Sequence, residues 1–389
     1  MGNFTTLNLF NLKVNQHSQV GYFMDKIELL HLMALQNVPN LGDSTAKKLI
    51  RHVGSAEAVF KAKKESLLKI DGIGKMKLQS LHLTDHLKAA EKELSYIEKN
   101  TISVCSYKDN VYPDKLKHCN DGPLVLYSRG NIDLQKRKIL SIVGTRKVTS
   151  YGIGFCERLV EELAPLNPVI ISGFAYGVDI TAHRAAIKHN LQTIGCLAHG
   201  LNQIYPKVHA KYMGQMEENG GFFTDFWSSK EFDRNNFLKR NRIIAGLSEA
   251  TLVVESAEKG GSLVTADIAN SYDREVFAVP GRATDVQSKG CNDLIKDQKA
   301  HLVASAADII YMLNWEVPSA PKVVQKRLFM ELSPVEQEVY DKLKNEGKQE
   351  LDVIALKCKM PTFKTAGILL DMELKGAIRP LPGKLFEVI

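Results

Sequence analysis

The spacing of apolar residues changes twice along the chain. Ile27, Leu29, Leu30, Leu32, Met33 and Leu35 recur at helical intervals and stop before Pro39, and Leu83, Leu87, Ala90, Leu94 and Ile97 extend a second helical face toward Lys99. From residue 101 the apolar residues gather into short runs, which predict strands at 101–105, 124–127, 139–143, 169–172, 193–197, 251–255 and 276–279. Helical patterns fall at 152–163, 180–189, 208–219, 236–247, 262–272 and 306–313. Strands alternating with helices argue for βαβ units and a parallel sheet covered on both faces. Near the end, Ser333-Pro334 with Glu336 forms a helix-starting capping box. Further helices are expected at 351–357 and from Thr362, and a hairpin at 378–381 and 385–388 around Pro382-Gly383-Lys384. Three helices and a hairpin make a winged-helix pattern.

These changes divide the chain. Residues 1–23 are polar and aperiodic, and are expected to be a disordered tail or an over-called start. A helical domain at 24–100, an α/β domain at 101–313, a linker at 314–328 and a winged-helix-like domain at 329–389 follow.

Three turns in the α/β domain carry the candidate chemistry. Gly144-Thr145-Arg146, Ser172-Gly173-Phe174 and Glu258-Lys259-Gly260-Gly261-Ser262 each follow an apolar run and precede a helical pattern. In a parallel sheet that layout offers backbone N–H groups and a helix N-terminus to an anion. Arg146 adds a guanidinium that matches phosphate bidentately. Phe174 and Tyr176 are candidates for base stacking, against the alternative of packing under the sheet edge. Asp179 and His183 share a helix face; Asp179 stands where an N-cap would, so capping and buttressing are expected of the pair in preference to acid–base or metal chemistry. Lys239-Arg240-Asn241-Arg242 lies inside a helical pattern, so its four side chains cannot all face one ligand. Lys239 and Arg240 are the preferred contacts, with Asn241 and Arg242 as ties to neighbouring loops.

Charge and cysteine usage narrow the reading. The 389-residue chain has a modest formal charge of +7, but residues 47–77 hold nine Lys/Arg against three acids. A basic patch of that kind suits an anionic partner. Within it, Ile70-Asp71-Gly72-Ile73-Gly74-Lys75-Met76-Lys77-Leu78 resembles a helix-hairpin-helix, in which Gly72, Gly74, Lys75 and Lys77 would meet a DNA phosphate; Val38–Asp43 keeps only the second glycine. The six scattered cysteines form no C-x-x-C pair and read as core residues of a reduced, cytoplasmic protein. No run of 18 apolar residues exists, so no membrane insertion is expected. On the third helix of the C-terminal pattern, Lys364 and Lys375 are the cations beside an apolar or acidic surface. That favours a protein-binding or accessory role over groove reading.

Taken together, Ser141-x-Val-Gly-x-Arg146, Ser172-Gly-Phe-Ala-x-Gly-Val-Asp-x-x-Ala-His183, Tyr205-Pro206, Arg240-Asn-Arg-Ile-Ile-Ala-Gly-Leu-Ser248, Gly261-Ser-Leu-Val-Thr-Ala266 and Ala278-Val-Pro-Gly281 resemble the DNA-processing protein A (DprA/Smf) family over about residues 101–313. The resemblance implies an extended Rossmann-like domain that binds single-stranded DNA without hydrolysing it, needs no cofactor or metal, and forms a homodimer. It also implies loading of the RecA recombinase during natural transformation. Its phosphate contacts would fall on Gly144, Arg146, Gly173, Phe174, Lys239, Arg240 and the Gly261-Ser262 turn. The competing enzyme reading is a nucleotide phosphoribohydrolase of the lysine-decarboxylase-like group. Such enzymes carry Pro-Gly-Gly-x-Gly-Thr-x-x-Glu at the third turn, whereas this chain has Gly260-Gly261-Ser262-Leu263-Val264-Thr265 with no glutamate in phase. The chain has neither the G-x-G-x-x-G of a dinucleotide-binding dehydrogenase nor, beside the turns, the acidic cluster of a nuclease.

Overall fold

The computed structural model describes residues 25–81, 85–135, 137–316, 332–381 and 383–388. The expectations for residues 1–23 and for most of the linker lie outside them. The described residues fall into two compact units divided at residue 318.

In the first unit nine strands form one sheet: β1 (Ser103–Ser106), β2 (Val125–Asn131), β3 (Ile139–Val143), β4 (Val169–Ser172), β5 (Thr193–Cys196), β6 (Gly220–Thr224), β7 (Ala250–Val253), β8 (Glu275–Ala278) and β9 (His301–Leu302). Their order is β1-β2-β6-β5-β4-β3-β7-β8-β9. From β6 to β9 every pair is parallel, and β2 and β1 add antiparallel strands at one edge. This is the extended Rossmann-like sheet. Apolar residues alternate between its faces along β3: Leu140 and Ile142 join one core, Ile139 and Val143 the other. Burial on both faces explains why the strands read as unbroken apolar runs.

Three departures from the pattern have physical causes. β6 was not expected, because Gly220-Gly221 reads as a breaker. Both glycines are required in the strand, since a Cβ would stand 2.1 Å from Thr193 O at Gly220 and 2.1 Å from Arg129 O at Gly221. The expected helix at 208–219 is a 3₁₀ turn, Lys207–Tyr212, followed by a short helix, Met213–Glu218. An additional helix, Lys289–Lys296, was not anticipated.

The N-terminal helices do not have a core of their own. Leu32, Met33, Leu49, Val59 and Leu94 belong to one cluster with Val125, Tyr127, Leu197, Phe222 and Trp227 of the sheet unit. Polar ties reinforce the seam: Leu124 N–H donates to Asp43 (2.8 Å), and Ser228 donates from N (2.6 Å) and Oγ (2.7 Å) to Glu93. At the other end, Trp315, expected in the linker, is buried and donates its indole N–H to Glu249 at 2.9 Å. The folded unit therefore extends past residue 313.

The second unit contains helices Pro334–Glu346, Leu351–Lys357 and Thr362–Leu374. Its three-stranded sheet has the order β10 (Gln349–Glu350), β12 (Leu385–Val388), β11 (Ile378–Leu381). Ser333 and Glu336 form the capping box, and Glu336 also accepts from Lys375 Nζ at 2.6 Å. Val339, Leu343, Ile354, Leu369 and Met372 fill the small core of this winged helix.

Candidate nucleic-acid interface

The chain runs from β3 outward to β6, then returns to place β7 on the other flank of β3. Strand order therefore reverses between β3 and β7, and the loops leaving their carboxyl ends part there, which is where open α/β sheets bind ligands. A cleft of about 830 Å³ occupies the site, lined by Gly144–Lys147, Asp179, Tyr205, Phe232, Arg234, Phe237, Arg240, Asn241 and Lys259–Ser262 among others.

The loop after β3 is held rigidly. Thr145 N–H donates to Glu255 O at 2.7 Å, and Val178 N–H donates to Thr145 O at 3.2 Å. The buried Glu255 carboxylate accepts from Thr149 N (2.8 Å) and Oγ1 (2.5 Å). Gly144 is needed because a Cβ there would lie 2.5 Å from Val178 Cγ2. Arg146 and Lys147 are left exposed on this clamped loop. The Arg146 guanidinium stands 5.1 Å from the Phe237 ring centroid, within cation–π range.

The helix Asn236–Leu247 distributes its polar run in several directions. Arg240 is 3% exposed; its Nη1 donates to Cys196 O at 2.6 Å, and its Nε has no partner among the described residues. Burial lowers its pKa, with Asp179 opposing that effect. Asn241 donates to Gly261 O at 3.1 Å and so ties the helix to the third turn. Arg242 pairs with Asp43 at 3.0 Å and with Asp225, joining the helix to the N-terminal region and to the end of β6. Burial opposes its charge, but Asp225 and then Asp43 outweigh that and raise its pKa. Lys239 is exposed and lines a different cleft, with Asp225, Lys230 and Asp233. The structure thus brings Arg240, but not Lys239, to the three turns.

The second turn differs from its expected use. At Gly173 a Cβ would meet Arg240 Nη1 at 2.2 Å, so the glycine makes room for a guanidinium, not for a phosphate. Ser172 is buried and donates to Ile142 O at 2.6 Å. Phe174 is 1% exposed and packs against Phe222, His209 and His183 at centroid distances of 5.1, 5.4 and 5.9 Å, leaving no face for a base. Tyr176 is exposed beside His209 and outside the cleft lining.

Gly177, not Asp179, is the N-cap of the helix Val178–Lys188. Asp179 stands in its first turn and accepts from Ala175 N–H at 3.3 Å; burial raises its pKa, with Arg240 opposing. His183 Nδ1 lies 2.7 Å from Thr193 Oγ1, whose own proton goes to Ile170 O at 2.9 Å, so His183 is the donor. Burial takes this imidazole down to about 3.

At the third turn, Gly260 caps the helix Gly261–Ser271 without a side-chain bond. Its first-turn N–H groups and positive dipole end face the cleft. Ser262 is buried and donates to Ser256 Oγ at 3.0 Å, and a Cβ at Gly261 would meet nothing within 4 Å.

Sequence reasoning missed the aromatic wall. Tyr205 and Phe232 are exposed, and with Phe237 they form a triangle with centroid distances of 4.9, 5.7 and 5.7 Å. Phe237 falls at an apolar position of the helical pattern 236–247, where periodicity alone assigns it to the core. The available signal was Phe232 and Phe237 bracketing Arg234, in a polar stretch where two aromatics have no strand or core to join. Lys147, Arg234 and Lys259 also line the cleft as exposed cations.

In the helical region Gly72 adopts φ 74° and Gly74 precedes the 3₁₀ turn Lys75–Leu78. Lys77 Nζ folds back to Gly72 O at 3.0 Å, Lys48 Nζ reaches Asp71 O, and Lys75 is exposed.

Residues 103–314, containing every element of the cleft, match the family model described as DNA recombination-mediator protein A. The chain belongs to this DprA/Smf family. Residues 32–84 match a SAM-like helix-hairpin-helix tandem and residues 326–384 the DprA winged helix domain. The chain is 34% identical over 303 residues to Protein Smf of Escherichia coli, covering 76% of this chain and 80% of that protein. It is 39% identical over 211 residues to the DNA processing protein DprA of Bacillus subtilis, covering 54% and 70%. Among solved structures, DNA processing protein A of Streptococcus pneumoniae superimposes with a TM-score of 0.62 at 26% identity, over 76% of this chain and 99% of that one. The corresponding Helicobacter pylori protein, described for its single-stranded DNA binding mode, gives a TM-score of 0.50 at 28% identity over 55% and 97%.

Proposed function

We propose that this DprA/Smf protein binds single-stranded DNA along the β3–β7 cleft, without hydrolysing it, and hands the strand to a RecA-type recombinase during natural transformation. The observation that carries the reading is Arg146 set against Phe237, with Tyr205 and Phe232 beside it. A guanidinium for phosphate and adjacent exposed rings for bases are the two components of a strand-tracking surface. Lys147, Arg234 and Lys259 extend the cationic rim, and the helix N-terminus at Gly261 adds N–H donors. A duplex keeps its bases stacked inside and cannot use the rings, so single strands are preferred.

The Helicobacter pylori relative's single-stranded DNA binding supports the same assignment. Among the described residues no helix is long and apolar enough to cross a membrane. A soluble cytoplasmic homodimer without cofactor or metal is part of the proposal, by family resemblance.

Fluorescence anisotropy with a labelled single strand, competed by duplex and by mononucleotides, tests it. Single strand displacing single strand, with duplex and mononucleotide far weaker, is the expected result. Tight mononucleotide binding with release of free base would replace the proposal with the phosphoribohydrolase reading.

A further inference from the structure

A second cleft, of about 1140 Å³, opens beside the first. Phe232 and Leu238 line both, so the two are continuous over these side chains, which are 43% and 50% exposed. One wall of the second cleft comes from Lys230, Asn236 and Lys239, on the helix Asn236–Leu247 and the segment before it. The other is the N-terminal turn 37–42, between the helices Lys26–Gln36 and Asp43–Val53.

Charge and exposed groups select what this cleft takes. Lys230 and Lys239 are its exposed cations, and neither forms a salt bridge among the described residues. Burial and then Lys239 lower the pKa of Lys230. The two ammonium groups therefore repel each other, and an anion between them relieves that repulsion. Most of the acids in the lining are engaged within the protein: Asp43 and Asp225 with Arg242, Asp121 with the Tyr272 hydroxyl, and Asp233 with Asn235 N–H at 2.8 Å. Glu231, exposed at the rim, stands against the two lysines. At the crossing, the exposed Phe232 ring offers a face to a base. Across the cleft Asn40 is exposed, with φ 63°. Its amide can both donate and accept, as hydrogen bonding to the open edge of an unstacked base requires.

We propose that a single strand leaving the first cleft passes over Phe232 and continues in the second, its phosphates at Lys230 and Lys239 and its bases toward Asn40. This rests on the single-strand reading of the first cleft. It gives Lys239 a phosphate away from the three turns and makes the N-terminal helical region one wall of the strand's path.

Binding of oligothymidylates of about 5 and about 20 nucleotides to the full chain tests it, the first near the small end of single-strand sites and the second beyond them. Lys230→Gln with Lys239→Gln should weaken the long strand about tenfold and reduce its log–log salt slope by about 1.4, as loss of two phosphate contacts does. The short strand, held by the first cleft, should keep its affinity and its slope. Both lysines are exposed, so the variant keeps its fold. A benzophenone attached at Asn40→Cys should crosslink the long strand and not the short one, with wild type as control for the native thiols. Equal loss at both lengths, no loss at either, or no crosslink above wild type overturns the continuation and leaves the first cleft as proposed. Failure of the first-cleft reading looks different: Arg146→Ala then leaves the affinity of both lengths unchanged.

Discussion

The Arg240 guanidinium occupies the space in which a side chain at Gly173 would stand, with Nη1 2.2 Å from the position of a Cβ. This contact joins the turn after β4, the helix Asn236–Leu247 and, through Cys196 O, the end of β5. The second turn therefore serves the cleft indirectly, by seating a buried cation behind it.

Gly173→Ala is expected to push Arg240 from its seat and to destabilise the fold by about 1–3 kcal/mol, the usual cost of overpacking. Thermal denaturation reads the stability change. An Ala variant as stable as wild type, with unchanged affinity for single strands, would show that the contact is dispensable.

Arg146 is exposed on a clamped loop, so Arg146→Ala should leave stability within about 0.5 kcal/mol. It should weaken binding of all sequences alike, because phosphate contacts carry no base information. With about four phosphates neutralised, the log–log salt slope is near −2.8, or roughly fiftyfold in affinity between 50 and 200 mM salt. Removing one contact should reduce the slope by about 0.7. Anisotropy titrations at several salt concentrations measure both quantities.

Two phenylalanines should separate cleanly. Phe232→Ala is expected to cost about 1–3 kcal/mol of single-strand affinity through lost stacking, with little change in Tm. Phe174→Ala should instead cost about 3–5 kcal/mol of stability, because its ring is enclosed in the core. Equal effects of the two on binding, at equal stability, would contradict the assignment of the aromatic wall.

Arg242 compensates two part-buried carboxylates, Asp43 and Asp225, whose side chains are 14% and 8% exposed. Arg242→Met should destabilise by about 3–5 kcal/mol, as removal of one partner from a buried ion pair does. Adding Asp225→Asn to that variant should recover part of the loss. Urea denaturation midpoints of the single and double variants provide the comparison.

The folded protein holds His183 neutral down to about 3 through burial, whereas an unfolded chain protonates it near 6.5. Its contribution to stability is complete above pH 6.5 and falls as the pH drops toward 3. At pH 5 the loss is about 2 kcal/mol. His199 and His209, both also lowered chiefly by burial, act in the same direction. Denaturant titrations at pH 7 and pH 5 should show the decline, and His183→Gln should flatten it in part.

Local sequence was sufficient for β3, β4 and the helix Asn236–Leu247, whose expected and observed limits coincide. It was sufficient for the three helices and the hairpin of the winged helix as well, because capping residues and hydrophobic period act over a few residues, but not for β10, a two-residue strand defined by its pairing with β12. β6 was illegible because the reason for Gly220-Gly221 lies in the carbonyls of Thr193 and Arg129 on the neighbouring strands. The shared core of the helical region was illegible for the same reason: amphipathic spacing shows that a face is buried, not what buries it.

The turns and the composition of the cleft were therefore written in the sequence, as Gly144-Thr145-Arg146, Arg240 and Gly260-Gly261 beside cations. The role of each residue was decided by packing. A helix rotates its side chains by about 100° per residue, so the neighbours Lys239, Arg240, Asn241 and Arg242 reach a second cleft, the β5 carbonyl, the third turn and an acidic pair. Phe174 and Phe232 are the same residue type. Only the fold encloses one among Phe222 and His209 and leaves the other at the rim, exposed to a passing strand.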